Sequence, residues 1–314
     1  MEPVLEPATE PAMERLALDV IIPVRDRSTV VDCVTTLREQ ASQARGFVLG
    51  RILLCDGGSR EADCRSQLAQ VNQWHDVEVL HCGSAFDFNK GWLLNQGIAT
   101  ATAPLILISD VDILWNTESL EALAIAATSH PHQINAIQSV VESRPQDGAV
   151  QRPRYGYRIE AQGEGFRVEV YAVDSAAASS GAASAGAMRP GCGLICARRS
   201  RFQDLGGYGH GFRGWGWEDQ DFLMRAQLSG CAVGQLGWVM HLSHGDGLRN
   251  RFAGEQMPQA SRDQNIRRCL AGLAQGRLLG DLPGASQAVG PGQGLPISVV
   301  APPELADFLV STQD

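Results

Sequence analysis

Four short apolar-rich runs recur through the first 110 residues, at 18–23 (LDVIIP), 51–55 (RILLC), 77–82 and 105–108 (LILI). Each is too short for a stable helix, and runs of this length bounded by polar or turn residues read as buried strands. Between them, residues 28–44, 61–74 and 89–101 read as helices; in the last, Leu93, Leu94, Gly97 and Ile98 recur at helical spacing. Strands alternating with helices predict an α/β chain with a mostly parallel central sheet covered by helices on both faces. Such sheets bind ligands at the carboxyl ends of their strands, which is where Arg25, Asp56 and Asp110 fall.

The alternation loosens after about residue 130. Residues 166–171, 194–197 and 236–241 read as strands, and 218–229 and 259–277 as helices. A low-complexity Ala/Ser/Gly stretch at 175–187 reads as a mobile surface loop. The expected organisation is a flexible N-terminus over 1–15, a single domain over 16–281 and a Gly/Pro-rich tail over 282–314.

Composition narrows the picture. The chain is 44% hydrophobic and 19% charged, enough apolar material for a sizeable core. A net charge of −9 argues against a nucleic-acid partner, because phosphate neutralisation needs clustered Lys and Arg. The eight cysteines are scattered. Cys192 and Cys196 stand four apart, but no second pair at ligand spacing accompanies them, so the expectation is buried free thiols, which suit a reducing compartment. The acidic, Pro-rich start resembles neither a signal nor a transit peptide, and no apolar run approaches the roughly 20 residues of a membrane helix. A soluble, cytoplasmic protein is expected.

Five local patterns carry candidate chemistry. Asp110-Val111-Asp112 follows an apolar strand, so two carboxylates can turn toward one divalent cation whose open positions phosphate oxygens would fill; they can equally be turn or cap residues. Gly214-Trp215-Gly216-Trp217-Glu218-Asp219-Gln220-Asp221 joins indoles, suited to sugar faces, to acids opening a helix, where the dipole favours the ionised form and a general base can sit. Core tryptophans before an acidic first turn are the plainer reading. His241 and His244 close a strand. Residues three apart on a strand face oppositely, so both reach one metal only if the chain turns near Ser243. Arg25 and Arg27, after Pro23, can clamp phosphate or stack on a base, or form a solvated charge cluster. Asp56 can accept from a nucleobase edge or cap the next helix.

Taken as an ordered set with Phe88-Asn89-Lys90-Gly91-Trp92 and Gly191-Cys192-Gly193-Leu194, these segments resemble the nucleotide-sugar glycosyltransferases of the GT-A (Rossmann-like) fold. The likeness is greatest to the β-1,4-galactosyltransferases and more distant to polypeptide N-acetylgalactosaminyltransferases and chondroitin-polymerase-type enzymes. It spans residues 18–250. The resemblance implies that Pro23, Arg25, Arg27, Phe88 and Lys90 line the nucleotide pocket and that Asp110 contacts ribose or the donor sugar. It implies that Asp112 and His244 ligate the metal, Asp219 is the catalytic base, Glu218 positions sugar hydroxyls, and Trp215 or Trp217 packs on a sugar. His241 stands where the β-1,4-galactosyltransferases have a methionine metal ligand, a change that would alter the metal preference. Gln220 replaces an acid, and the family's membrane anchor has no counterpart here.

The implied activity is a metal-dependent, inverting transfer of a hexose or N-acetylhexosamine from a UDP-sugar to an unknown acceptor hydroxyl. Mn²⁺ is the expected cofactor, with Mg²⁺ as the alternative. A nucleotidyltransferase on a similar sheet is one rival, although residues 23–27 lack the glycine-rich loop that class would use. A non-catalytic sugar- or partner-binding protein is the other. Residues 245–259, following His244, carry glycines, Arg249, Arg251, Phe252 and Met257 without clear periodicity, and are expected to form a mobile lid.

Overall fold

The computed structural model describes residues 15–83, 88–144, 154–173, 188–244, 258–284 and 294–306. The expected flexible N-terminus up to residue 14, the low-complexity loop 175–187, lid residues 245–257 and tail residues 285–293 and 307–314 lie outside the described residues.

The first half builds as its apolar runs predict. Strand β1 (Leu16–Val24) leads to α1 (Val30–Gln43), β2 (Phe47–Asp56), α2 (Ala62–Val71), β3 (Val77–His81), α3 (Lys90–Thr100) and β4 (Leu105–Ile108). These strands pair in parallel. Their side chains alternate between two cores, as the two-residue period of a strand requires. Val20, Ile22, Ile52, Leu54, Leu105 and Leu107 face one side, packed with Val34 and Leu37 of α1. Ile21, Leu53, Cys55, Ile106 and Ile108 face the other, packed with Leu93, Leu94 and Ile98 of α3. Gly97 lets α3 lie close on the sheet, since a Cβ there would stand 2.3 Å from Ile21 Cγ2.

The second half adds β5 (Ile113–Leu114), α4 (Thr117–Ser129), β6 (Ile134–Glu142), β7 (Arg154–Gln162), β8 (Gly165–Val173), β9 (Met188–Arg198), α5 (Arg199–Asp204), α6 (Glu218–Leu228), β10 (Val233–His241), α7 (Pro258–Ala274), β11 (Ile297–Val300) and α8 (Pro303–Ala306). The main sheet runs β3-β2-β1-β4-β9-β6-β10-β5. Strand β9 is antiparallel to both β4 and β6, and β10 is parallel to β6. Two reversals restore direction, so β6 and β10 end at the same sheet edge as β1, β2 and β4. The result is the expected α/β architecture with a mostly parallel sheet and helices on both faces. A second sheet, β11-β8-β7, covers α7 through a third core that includes Val168, Val170, Ile266 and Leu270.

The structure departs from the sequence expectation in the tail. Residues 297–300 form β11, parallel to β8, and Leu305 of α8 is fully buried. Gly and Pro dominate the stretch before this strand, but three β-branched residues among its four suffice to complete a sheet edge. No helix of the described residues is long and apolar enough to cross a membrane.

Candidate active site at the carboxyl edge of the sheet

The site begins with the Asp110-Val111-Asp112 turn after β4. Ser109 N donates to Ile21 O (3.0 Å) and Thr29 Oγ1 to Val111 O (2.7 Å), fastening this turn to β1 and to the start of α1. The short strand β5 then pairs antiparallel with the end of β10, setting His241 opposite Ile113. Leu242 N donates to Asp112 O (2.8 Å). Residues far apart in sequence are thereby brought within bonding reach.

Three donor groups converge on this point. Asp112 Oδ2 lies 3.5 Å from His241 Nε2 and 3.2 Å from His244 Nε2. The three ligand atoms all fall within 4.8 Å of one another. Strand β10 ends at His241, and Ser243 beyond it is fastened to the segment after β6: its N–H donates to Ser143 Oγ (3.0 Å), and its Oγ accepts from Arg144 N (3.0 Å). Released from strand alternation, His244 reaches the same point as His241. Two imidazole nitrogens and a carboxylate oxygen are a fitting donor set for a divalent first-row cation. Arg27 adds a guanidinium 3.9 Å from Asp112 Oδ2. Burial pushes the Asp112 carboxyl up, but the two imidazoles and Arg27 outweigh it and hold it well below the usual carboxylate range. The His241 imidazole moves the other way: burial lowers it, and Asp112 and Glu142 more than reverse that.

A second cluster stands beside the first. Lys90, at the start of α3, places Nζ 2.9 Å from Asp110 Oδ1 and 3.6 Å from Glu218 Oε1. Asn89 caps this helix by accepting from Trp92 N (2.9 Å), while its own amide donates to His210 O (2.8 Å). Gly193 on β9 leaves room for the cluster: a Cβ there would stand 2.9 Å from Asp219 Oδ2 and 3.3 Å from Lys90 Nζ. Burial pulls the Lys90 ammonium down, but Asp110, Glu218 and Asp219 hold it above its ordinary value. Burial pushes Glu218 up to about 7, and the Asp219 charge adds to this against the opposing pull of Lys90. Asp219 is raised by burial as well. At Glu218, therefore, desolvation outweighs the preference for the ionised form that the helix start supplies.

The loop before these acids is held by α7. Asn265 Nδ2 donates to Arg213 O (2.9 Å) and Gly216 O (2.8 Å), and Trp215 N donates to Ser261 Oγ (3.1 Å). Gly214 (φ 67°) and Gly216 (φ 95°) permit the left-handed turns, and Trp217 itself sits at φ 78°. Its side chain is only 4% exposed and packs in the third core. Of the two indoles expected to meet a sugar, Trp217 is thus a core residue that anchors the strained turn, and Trp215 is the half-buried one. Asp221 is also structural: it pairs with the buried Arg225 (2.8 Å), whose guanidinium donates to Leu205 O and Gly207 O.

The remaining sequence candidates surround this edge. Pro23 is buried in β1, and Arg25 and Phe88 are half-buried. Asp56 does not cap α2. It closes its own turn, accepting from Ser59 N (2.9 Å) and Ser59 Oγ (2.7 Å), with Oδ2 3.6 Å from His81 Nδ1. Asp26, at φ 50°, ties this loop to β1 by accepting from Arg60 N and Glu61 N. All eight cysteines are free thiols. Sequence reasoning missed Glu142, which accepts from His241 Nδ1 (2.7 Å); the signal available was an acid closing an apolar run beside the other strand ends.

Comparisons with known proteins bear on the family and on the fold that carries this site. The family model described as glycosyl transferase family 2 matches residues 19–181, more than half of the chain. The model described as the N-terminal domain of galactosyltransferase matches residues 175–244. No curated protein sequence matches. Among solved structures, GalNAc-T7 with UDP, GalNAc and Mn²⁺ superposes with TM-score 0.57 at 15% identity, over 82% of this chain and 48% of that one. The present chain thus spans about half of that protein's length. A mannosyltransferase from Pyrobaculum calidifontis with GDP-Man and Mn²⁺ gives TM-score 0.50 at 16% identity, over 84% of this chain and 66% of that one. A Drosophila β1,4-galactosyltransferase 7 with manganese, UDP-Gal and xylobiose gives 0.46 at 16% identity, over 78% of each chain. The chain belongs to glycosyl transferase family 2 and has the GT-A fold.

Proposed function

We propose that the protein transfers a hexose or N-acetylhexosamine from a UDP-sugar to an acceptor hydroxyl, with inversion at the anomeric carbon and dependence on a divalent metal. The observation that carries this reading is the meeting of Asp112, His241 and His244 around one point beside the Lys90–Asp110–Glu218–Asp219 cluster. Asp112, His241 and His244 would hold the cation, and it would offset the charge that develops on the diphosphate leaving group. Mn²⁺ is the ion we favour, since it accompanies the nucleotide in GalNAc-T7 and the nucleotide-sugar in the mannosyltransferase.

In this reading the chain's own groups bind, orient and move protons. Pro23, Arg25, Arg27, Asp56 and Phe88 line the nucleotide side, with Arg27 and Lys90 available to the diphosphate. Asp110 takes a ribose or sugar hydroxyl. Asp219 accepts the proton of the attacking hydroxyl from the face opposite the leaving group, the geometric logic of inversion. Its raised proton affinity suits that task near neutral pH. Glu218 orients sugar hydroxyls, and Trp215 offers an aromatic face. Free thiols and the absence of a membrane-length helix among the described residues are compatible with a cytoplasmic setting. The test is calorimetric titration of UDP, UDP-hexoses and GDP-mannose with Mn²⁺, with Mg²⁺ and with EDTA. Mn²⁺-dependent UDP binding that EDTA removes is expected. Metal-independent binding would sink the metal assignment, and preference for the guanine nucleotide would replace the donor.

A further inference from the structure

One carboxylate at the site has no role in the reaction proposed above. Glu142 closes β6, two strand-ends away from β4, and lies in register opposite His241 of β10. Its Oε2 accepts from His241 Nδ1 at 2.7 Å and from Ser243 Oγ at 2.9 Å. Its Oε1 accepts from Arg189 Nε at 3.1 Å. The carboxylate is therefore gripped from β9, from β10 and from the segment that follows β10.

The consequence for His241 is geometric. A neutral imidazole carries its proton on one nitrogen and a lone pair on the other. An acceptor at Nδ1 selects the form with the proton there and turns the bare Nε2 lone pair outward. Nε2 is the atom facing Asp112 Oδ2 at 3.5 Å. The ring of His241 is buried, 5.2 Å from that of His244 between centroids, so few other groups can fix its rotation. We propose that Glu142 is a positioning residue for His241, holding the ring and its tautomer so that Nε2 is presented to a divalent cation. The proposal rests on the metal assignment made above.

Mn²⁺ binding to the full chain without nucleotide, read from loss of the free-ion resonance in electron paramagnetic resonance, tests this apart from activity. Glu142→Ala is expected to weaken Mn²⁺ binding about 10- to 100-fold, the usual cost of losing such a partner. Glu142→Gln, equal in size, keeps an acceptor oxygen and guards against a folding defect; it is expected to lose about 3- to 10-fold. In a His241→Ala background the further change Glu142→Ala is expected to cost less than about threefold, because the ring it positions is gone. Equal losses in both backgrounds would make Glu142 a general support of the strand edge and overturn the proposal. So would Mn²⁺ affinity within about threefold of wild type for both Glu142 variants, provided Asp112→Ala abolishes binding. If Asp112→Ala leaves Mn²⁺ binding intact, the metal assignment itself falls, which is a separate and recognisable outcome.

Discussion

Two acidic clusters lie side by side at the same sheet edge, and they treat their protons in opposite ways. Around Asp112, one carboxylate meets two imidazoles and a guanidinium, and it is held ionised far below its ordinary range. Around Lys90, one ammonium meets Asp110, Glu218 and Asp219, and burial, with the Asp219 charge adding to it, pushes Glu218 up to about 7 against the pull of that single ammonium. Asp112 and Glu218 are both buried, so desolvation alone does not separate them. The ratio of cations to carboxylates does: the first cluster is built to keep a negative charge available, the second to keep a proton within reach.

The largest expected effect tests the second cluster. Asp219→Asn keeps shape but removes the proton acceptor, so turnover should fall by roughly 10²- to 10⁴-fold while donor affinity barely moves. Single-turnover kinetics with radiolabelled donor would show it. Retention of turnover within a few-fold would hand the base role to Glu218. The next effect tests the first cluster. Asp112→Ala should lower Mn²⁺-dependent UDP affinity by at least about 10²-fold in calorimetry with the fold unchanged, since a strand-end ligand contributes little packing.

The sequence made much of this comparison legible, though not all of it. The strand segments that lead to Pro23, Asp56 and Asp110 are buried on both faces, and their short apolar runs announce them. Strand β6 (INAIQSVVE) interrupts its apolar run with Asn135, Gln138 and Ser139, so it escaped notice, and Glu142 escaped with it. The alternation of Phe166, Val168 and Val170 makes β8 legible at 166–171, whereas β7 turns Tyr155, Tyr157 and Ile159 to the same core with only Gly156 and Arg158 between them and has no run of aliphatic residues to announce it. Trp217 misled for another reason. A Gly-Trp-Gly-Trp string looks exposed, and only the contact with Met224 and Ile266 in the third core shows that one indole points inward. The pairing of Asp112 with two histidines about 130 residues downstream depends on the β5–β10 register, which no local pattern encodes.

Two smaller effects sharpen the electrostatic contrast. Lys90→Met removes the cation that opposes burial and the neighbouring carboxylates in the Glu218 and Asp219 shifts. Both acids should then hold their protons more tightly. The acid limb of the pH–rate profile for kcat/KM should move to higher pH, costing about tenfold at pH 6. An unmoved limb would separate Lys90 from the base. The smallest effect is on stability. Glu218 has an ordinary value of 4.5 and stands near 7 in the folded protein, so its protonated form is the one folding favours. The stability it contributes is full below about 4.5 and is lost as pH rises through about 7. Glu218→Gln removes that loss. In metal-free thermal melts the variant's Tm should gain about 2–6 °C on wild type between pH 5 and pH 8. A constant difference across that range would mean that Glu218 stays ionised throughout.

The short β5–β10 pairing has a further consequence, for the order in which the molecule is assembled. The β1–β4 half is built from segments that all lie before residue 109, and synthesis delivers it first. Cation capture must wait until β10 has inserted between β6 and β5, one of the last threads of the main sheet to emerge. On the metal assignment proposed above, a nascent chain would recruit the ion only after its sheet is finished, and the ion would then tie the latest strand to a turn made long before it. Affinity for the cation would become a reward for completion: half-made chains would lack the grip, and finished ones would be fastened shut by it.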